Sequence, residues 1–432
     1  MSRVHDLVGI GIGPFNLGLA ALAEPVPDLD AVFLDARPGF DWHGGMLLDD
    51  ATLQVPFLAD LVTLADPTSR FSWLQFLKET GRLYPFYIRE SFYPLRREYN
   101  LYCRWAADRL AHRLRWGREV TEVTHDGEAY VVRAATGETF RGRRLVLGTG
   151  TAPRVPAGLE EVLADGGVHT ADYLPRKVEL QRAGSITVVG SGQSAAEVYA
   201  DLLADQPAFG YALHWVTRSP RFFPMEYTKL TLEMTSPEWS RHFQELPPET
   251  RARVQAGQAA LSKGISSTTI DEIYDALYAR SVEGAPETTL LSATEVTGAE
   301  RVGDGWRLAL RHTETEESFA LTTGAVVLAT GYAARVPEFL APVRDRIRWD
   351  EQGRFQADER FALDDEATLF VQNGEEHTHG FVAPDLGMGA MRSSVILAAV
   401  LGREVYPVEK RIAFQEFGVP DRLRVGAEAV AR

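Results

Sequence analysis

Two glycine turns, each set between an apolar strand and an Ala/Leu-rich helix, constrain this chain more than any other feature. The stretches Asp6 to Leu22 and Ser185 to Leu203 both follow this strand–turn–helix order, and a further β-rich stretch follows each. A repeated βαβ start in one chain predicts two nucleotide-binding units in an α/β fold. The first turn has a GxGxxN form, with Gly11, Gly13 and Asn16, and its helix opens at about Pro14. Gly11 allows the tight turn, and Gly13 lets backbone approach a pyrophosphate lying on the helix N-terminus. The next strand, "AVFLD", ends in Asp35, where an acid bonds ribose hydroxyls. The second turn carries Gly190, Gly192, Gln193 and Ser194, but its following strand ends in Thr217 and Arg218 instead of an acid. A basic residue there accommodates a 2′-phosphate, so NADPH is expected over NADH. A solvated surface arginine is the plainer reading of Arg218, and Ser219 and Arg221 are further phosphate candidates.

The 432 residues allow two or three domains. Between the turns, Glu119 to Phe140 and Arg143 to Gly148 have strand patterns, whereas Pro237 to Glu283 is helical and polar-faced. Strands return at Thr288 to Thr297, Trp306 to His312 and Ala325 to Thr330, and a helix is expected at Gly389 to Leu401, before a tail that packs back on the core. Two strands end in Thr-Gly turns, at Thr149-Gly150 and at Thr330-Gly331, where the chain is expected to cross between domains. The expected fold is two Rossmann-like dinucleotide-binding domains with a small helical substrate-binding region. One domain takes 1–168 and 332–432 with the tail; the other takes 169–236 and 284–331; the helical insert is 237–283.

A net charge of −15 disfavours nucleic acid as a partner. The single cysteine, Cys103, leaves no dithiol for flavin–disulfide chemistry. No apolar run is long enough for a membrane span, and Met1 to Asp6 is unlike a signal peptide, so the cytoplasm is expected. His377 and His379 alone do not make a metal site.

The segments "GIGPFNLGLA", "WHGGMLL", "LQVPFLADLVTLADPTS", "VVGSGQSAAEVY", "LATGYAARVPEF" and "HTHGFVAPDLGMGAMRSS" run nearly end to end. In these the chain resembles the microbial N-hydroxylating flavin monooxygenases of siderophore biosynthesis, the lysine and ornithine N-monooxygenases. The resemblance implies FAD at the first turn, NADPH at the second and O₂ as co-substrate. It implies hydroxylation of a terminal amine through a C4a-hydroperoxyflavin, and a homo-oligomer, tetramer or dimer. Trp42, His43, Gln54 and the loop from Pro56 to Asp60 are implied to lie along the flavin, with core packing the alternative for Trp42. The helix start at Pro384, Asp385, Leu386 and Gly387 is implied to face flavin and amine, with a plain N-cap by Asp385 the alternative. Thr330 and Gly331 join the cofactor-binding set, and no residue stands out as catalytic. The chemistry needs a free amine lone pair, and removing the proton from an alkylammonium of pKa ~10.4 near pH 7.5 costs about 4 kcal/mol. A desolvating pocket lowers that cost.

Departures from the family pattern indicate which amine. The family's "FLKDL" lysine, which binds a substrate α-carboxylate, is here Ala59, and a family asparagine falls at Leu232. A buried carboxylate without a partner is costly, so a diamine, cadaverine or putrescine, is expected over L-lysine. Lysine stays open if Lys229 or Lys263 holds its carboxylate. An Ala59→Lys change is expected to add little for diamines and to admit lysine. Asp60, Glu226, Glu233 and Asp385 are the candidate partners of the distal ammonium. A non-oxygenating flavin reductase and a non-catalytic dinucleotide-binding protein are the readings from other classes.

Overall fold

The computed structural model describes residues 3–424; residues 1–2 and 425–432, the ends of the first and last expected segments, lie outside the described residues. Strand β1 (Val4–Ile10) is flanked by β2 (Ala31–Leu34) and the C-terminal half of β6 (Thr139–Leu147), all parallel. β3 (Leu114–Arg115) extends the sheet beyond β2, and β17 (Leu369–Val371) pairs with the end of β6. On its other edge the N-terminal part of β6 joins an antiparallel ladder with β5 (Tyr130–Ala134) and β4 (Val120–His125). The parallel strands are apolar runs because both their faces are covered. Helix α1 (Pro14–Ala23) lies on one face between α4 (Arg96–Arg109) and α14 (Gly389–Leu401), and nearly every residue of it is buried. With α2 (Trp73–Glu79) and α3 (Leu83–Arg89) these helices make the layer over the first core.

A second parallel sheet has the order β11 (Thr288–Leu291), β10 (Ala212–Val216), β9 (Ser185–Val189), β15 (Ala325–Leu328) and β8 (Val168–His169). Helix α7 (Gln193–Phe209) covers one face. The antiparallel β12 (Thr294–Val302), β13 (Gly305–His312) and β14 (Ser318–Thr323) cover the other. Short α5 (Glu160–Ala164) and α6 (Tyr173–Leu180) lead into this unit. The chain leaves and re-enters the first unit through a two-stranded ribbon, β7 (Thr151–Pro153) against β16 (Tyr332–Ala334). Both expected crossings therefore meet in one place, paired antiparallel.

The helical stretch contains α8 (Lys229–Leu232), α9 (Pro237–Glu245), α10 (Pro248–Gly257), α11 (Ala259–Ser262) and α12 (Ser267–Ser281). It is a bridge, not a free-standing body. α12 packs on α7, while Trp239 and Phe243 of α9 share a buried cluster with Phe381, Val382 and Met388, beside α13 (Glu376–His379). The tail returns as expected, with Tyr406 donating to Leu22 O (2.8 Å) and the Phe417 ring meeting Trp239 at 5.2 Å. No helix among the described residues is long and apolar enough to cross a membrane.

Candidate active site

The two glycine turns are built alike. Gly11 has φ +88° and a Cβ there would stand 2.3 Å from Gly148 O; Gly190 has φ +155° and a Cβ there would stand 2.2 Å from Ala329 O. Each turn is thus wedged against the strand that ends in a Thr-Gly crossing. The second glycines face outward: a Cβ on Gly13 meets no protein atom within 4 Å, and one on Gly192 meets only Lys263 O at 3.4 Å. Each caps its helix without a side-chain partner, so the first N–H groups of α1 and α7 are free for an anion. Pro14 at the first helical position suits this, since it has no N–H to leave unpaired. These features fit a dinucleotide pyrophosphate at each turn.

Several expected contacts have different partners from those expected. Asn16 is fully buried, donating to Gly11 O (2.8 Å) and accepting from Gln372 Nε2 (2.7 Å), so it shapes the turn from behind and its amide does not face a cofactor. Asp35 accepts from Ile12 N (2.7 Å) and is gripped by the Arg37 guanidinium at 2.9 and 2.8 Å. Burial pushes its carboxyl up, but Arg37 outweighs this and holds it below the usual carboxylate range. Any ribose contact therefore comes from a carboxylate already locked to the turn. Gln193 is also turned inward, onto Glu197, Thr269 and Ser266. Ser194 follows it in the first turn of α7. Arg218 is exposed at the end of β10, and neither it nor Arg221 has an ion-pair or hydrogen-bond partner among the described side chains, a disposition that suits a 2′-phosphate. Gly331 O accepts from His169 Nε2 and Arg154 N, and Thr330 donates to Arg154 O, so both tie the ribbon together.

Trp42 and His43 stack edge-to-face at 4.5 Å, with Trp42 also against Tyr99 and His43 against Tyr332 of the ribbon. Gln54 accepts the Tyr227 phenol at 3.2 Å. Pro384 opens the segment before α14, and Asp385 Oδ1 caps Gly387 N at 2.6 Å. The plain cap is therefore present, but it uses one carboxylate oxygen; no donor among the described residues meets the other. Burial raises the Asp385 carboxyl above its ordinary value, and the Gly387 N–H and the Arg392 charge offset part of this. Ala59 is 5% exposed and lies 3.8 Å from where a Gly387 Cβ would stand, which puts it beside Asp385. A small, partly open cavity between the starts of α1 and α14 is lined by Phe15, Gly18, Asp60, Leu61, Tyr99 and Leu386.

Two of the four acids expected to hold an ammonium are engaged with other partners in the structure. Asp60 is buried and saturated by Val62 N, Thr63 N, Thr63 Oγ1 and Trp73 N, all at 2.6–2.9 Å, so it staples its loop to the start of α2. Glu233 is spent on Phe414 N, Gln415 N and Gln415 Nε2 of the tail. Glu226 is exposed, and Leu232 is 46% exposed on α8, so a substrate-lining role for Leu232 does not follow from its placement. Lys229 is exposed, and Lys263, 3.9 Å from Glu376, is exposed too.

Sequence reasoning missed Tyr227, whose loop has no recognisable pattern. It also missed the buried Arg392–Glu375 pair (3.2 Å), in which Arg392 donates to Ala383 O at 2.6 Å and so holds the segment before Asp385. The signal for Arg392 was available: a lone charge in the apolar helix "GAMRSSVILAAVL". Among the described residues no group of three or more His, Cys, Asp or Glu side chains is arranged to hold a metal.

The family model of L-lysine 6-monooxygenase/L-ornithine 5-monooxygenase matches residues 3–334. A putrescine N-hydroxylase of Shewanella oneidensis is 48% identical over 422 residues, 96% of this chain and 84% of that protein. The FAD-bound crystal structure of the cadaverine monooxygenase of the desferrioxamine pathway of Erwinia amylovora superposes with a TM-score of 0.94 at 49% identity, covering 97% of this chain and 99% of that one. An ornithine N-hydroxylase of Kutzneria, solved with reduced FAD, NADP⁺ and L-ornithine, superposes with a TM-score of 0.86 at 30% identity, covering 93% and 99%.

Proposed function

The chain belongs to the L-lysine 6-monooxygenase/L-ornithine 5-monooxygenase family, and from that premise we propose that it N-hydroxylates one terminal amine of a small diamine, cadaverine or putrescine, for a hydroxamate siderophore. The observation that carries this reading is near end-to-end likeness at 48% and 49% to proteins named for putrescine and cadaverine, against 30% to one named for ornithine. FAD held at the Gly11–Gly13 turn and NADPH held at the Gly190–Gly192 turn would together supply activated oxygen from O₂. The division into a flavin unit (1–168 with 332–432), a nicotinamide unit (169–236 with 284–331) and the insert 237–283 is part of the same reading, supported by which strands share a sheet.

The chain's own residues have three tasks. Asp385 holds the distal ammonium through its oxygen not bonded to Gly387. Of the four candidate acids it alone is both half-buried and incompletely bonded. Ala59, Leu386 and Gly387 present an apolar wall to the reacting amine, which lowers the cost of its free-base form. The packed cluster of Trp239, Phe243, Phe381, Val382 and Met388 supports the segment that carries Asp385 and excludes water behind it. Ala59 offers an α-carboxylate no charge, which disfavours lysine.

The reading includes the cytoplasm as its place of work and a homo-oligomer, dimer or tetramer. Supporting the latter, Tyr274 and Tyr278 of α12 and Val282 at its C-cap form an exposed apolar stripe at four-residue spacing. Light scattering on the purified protein measures that state. The functional test is NADPH and O₂ consumption with cadaverine, putrescine, L-lysine and L-ornithine, with hydroxylamine quantified. Coupled turnover with lysine and none with the diamines overturns the reading.

A further inference from the structure

We propose that the ion pair between Arg96 and Glu197 is the positioning contact that fixes the angle between the flavin and nicotinamide units for hydride transfer. Arg96 opens α4, in the layer over the first core, and Glu197 lies one turn into α7, the helix that begins at the second glycine turn. The guanidinium grips the carboxylate with both arms, Nη1 to Oε2 and Nη2 to Oε1, each at 2.8 Å. The side chains are only 11% and 6% exposed. Arg96 Nη1 also donates to Met46 O at 3.0 Å, in the loop that carries Trp42 and His43.

The pair does not stand alone. Gln193, the first residue of α7, donates to Glu197 Oε1 (3.0 Å) and Thr269 Oγ1 (3.1 Å) and accepts from Ser266 N (2.7 Å). A polar chain therefore runs from the start of α12, through the helix end where the second nucleotide sits, to the flavin unit. The neighbouring contacts across this boundary are of another kind. Met46 and Leu48 are buried in the second core, and Gly45 lies against the Ala171 carbonyl. Such contacts give adhesion with little directional preference. A buried ion pair gains little stability over apolar packing, whereas a two-armed guanidinium–carboxylate contact fixes orientation. Orientation is what transfer between two separately bound cofactors requires, since a 1 Å misplacement costs about 10²-fold in rate.

The inference rests on the FAD/NADPH reading above, and its test separates the two. Glu197→Gln keeps shape and removes charge. The double replacement Arg96→Met, Glu197→Leu keeps the boundary filled without the fork. In anaerobic stopped-flow at saturating NADPH, both are expected to slow flavin reduction at least ~10-fold. FAD content and the reoxidation of dithionite-reduced enzyme by O₂ should stay at the parent's values. Small-angle scattering of the same proteins should show a changed interdomain distance distribution. Flavin reduction within twofold of the parent in the folded double variant overturns the proposal. So does a parallel fall in reduction, reoxidation and FAD content, which marks a mere fold contact. A parent enzyme that NADPH does not reduce sinks the functional reading instead, and the scattering comparison still decides the role of the pair.

Discussion

Tyr227 donates its phenol to Gln54 Oε1 at 3.2 Å, joining two residues 173 positions apart in sequence. The Tyr227 hydroxyl is held protonated by burial, with the nearby Tyr93 and Asp385 adding to the effect. Tyr227 therefore stands between the loop of Gln54 and Ala59 and the acid in the segment before α14. Tyr227→Phe removes one neutral hydrogen bond, worth about 0.5–1.5 kcal/mol. The expected result is a rise of about 2–10-fold in KM for the diamine with kcat changed less than about twofold, measured by steady-state hydroxylamine formation.

Asp385 is expected to be a costly residue kept for binding. Its folded-state carboxyl is raised by burial, so the folded protein binds its proton more tightly than the unfolded chain does. The stability contribution is then most favourable below the ordinary aspartate range and is lost as pH rises through the elevated value. Asp385→Asn can still accept the Gly387 N–H, but it carries no charge. At pH 7.5 the ligand-free variant should melt no lower than the parent. Its KM for cadaverine or putrescine should rise at least ~10-fold, the loss of about 1.4 kcal/mol. In the parent, diamine kcat/KM should fall as pH drops and Asp385 protonates; scanning calorimetry and a pH–rate series check both.

The parts of this molecule legible in sequence are those where a local pattern is also the structural cause. The glycine turns, the Gly389–Leu401 helix and the two Thr-Gly strand ends are of this kind, because turn chemistry and apolar runs are set by neighbours in the chain, whereas the pairing of the two crossings is not. Helix α4 is absent from the sequence expectations although Tyr99, Tyr102, Cys103, Ala106 and Leu110 are buried at helical spacing, because the aromatic and charged composition conceals that period. β14 was hidden for the opposite reason, since it is mostly exposed and lacks an apolar face. At the site, residue type suggested Asp60 and Glu233 as ammonium partners. Their fate is decided by which backbone N–H groups lie within reach, Trp73 for one and Phe414 for the other. Long-range bonding of that sort has no signature in a single sequence.

Ala59→Lys illustrates the difference. From sequence, the change is expected to spare diamines and admit lysine. In the structure Ala59 is buried next to Gly387 and Asp385, so a lysine there delivers its ammonium to the acid proposed for substrate. The variant should raise KM for diamines by at least ~10-fold through this internal ion pair. Adding Asp385→Asn should leave the introduced ammonium unpaired and so admit L-lysine, without restoring diamine binding. Isothermal titration with cadaverine and L-lysine distinguishes these outcomes.

The two glycines of the first turn should fail in different ways. A methyl on Gly11 strikes the Gly148 carbonyl and is placed at φ +88°, so Gly11→Ala should lower the melting temperature with or without FAD. A methyl on Gly13 meets no protein atom, so Gly13→Ala should melt like the parent when FAD-free yet retain far less FAD on purification. Flavin absorbance per chain, read beside melting curves with and without added FAD, tests the pair.

The tail is held by two carboxylates that capture consecutive backbone N–H groups. Glu238 Oε2 accepts from Ile412 N (2.8 Å) and Ala413 N (3.1 Å), and Glu233 takes Phe414 N (2.9 Å) and Gln415 N (3.0 Å). The Glu233 carboxyl is lowered by the Phe414 and Gln415 N–H bonds. Its hold is therefore complete above the ordinary glutamate range and is lost as pH falls through the folded-state value. Glu233→Gln with Glu238→Gln should free the segment around Lys410 and Arg411, which in the parent is also tied by Arg241 to Lys410 O. Trypsin should then cut there at least ~10-fold faster at pH 7.5. Flavin content should not change, because neither glutamate touches the glycine turns. Cleavage at the parent's rate would mean that the aromatic contact of Phe417 with Trp239 holds the tail by itself.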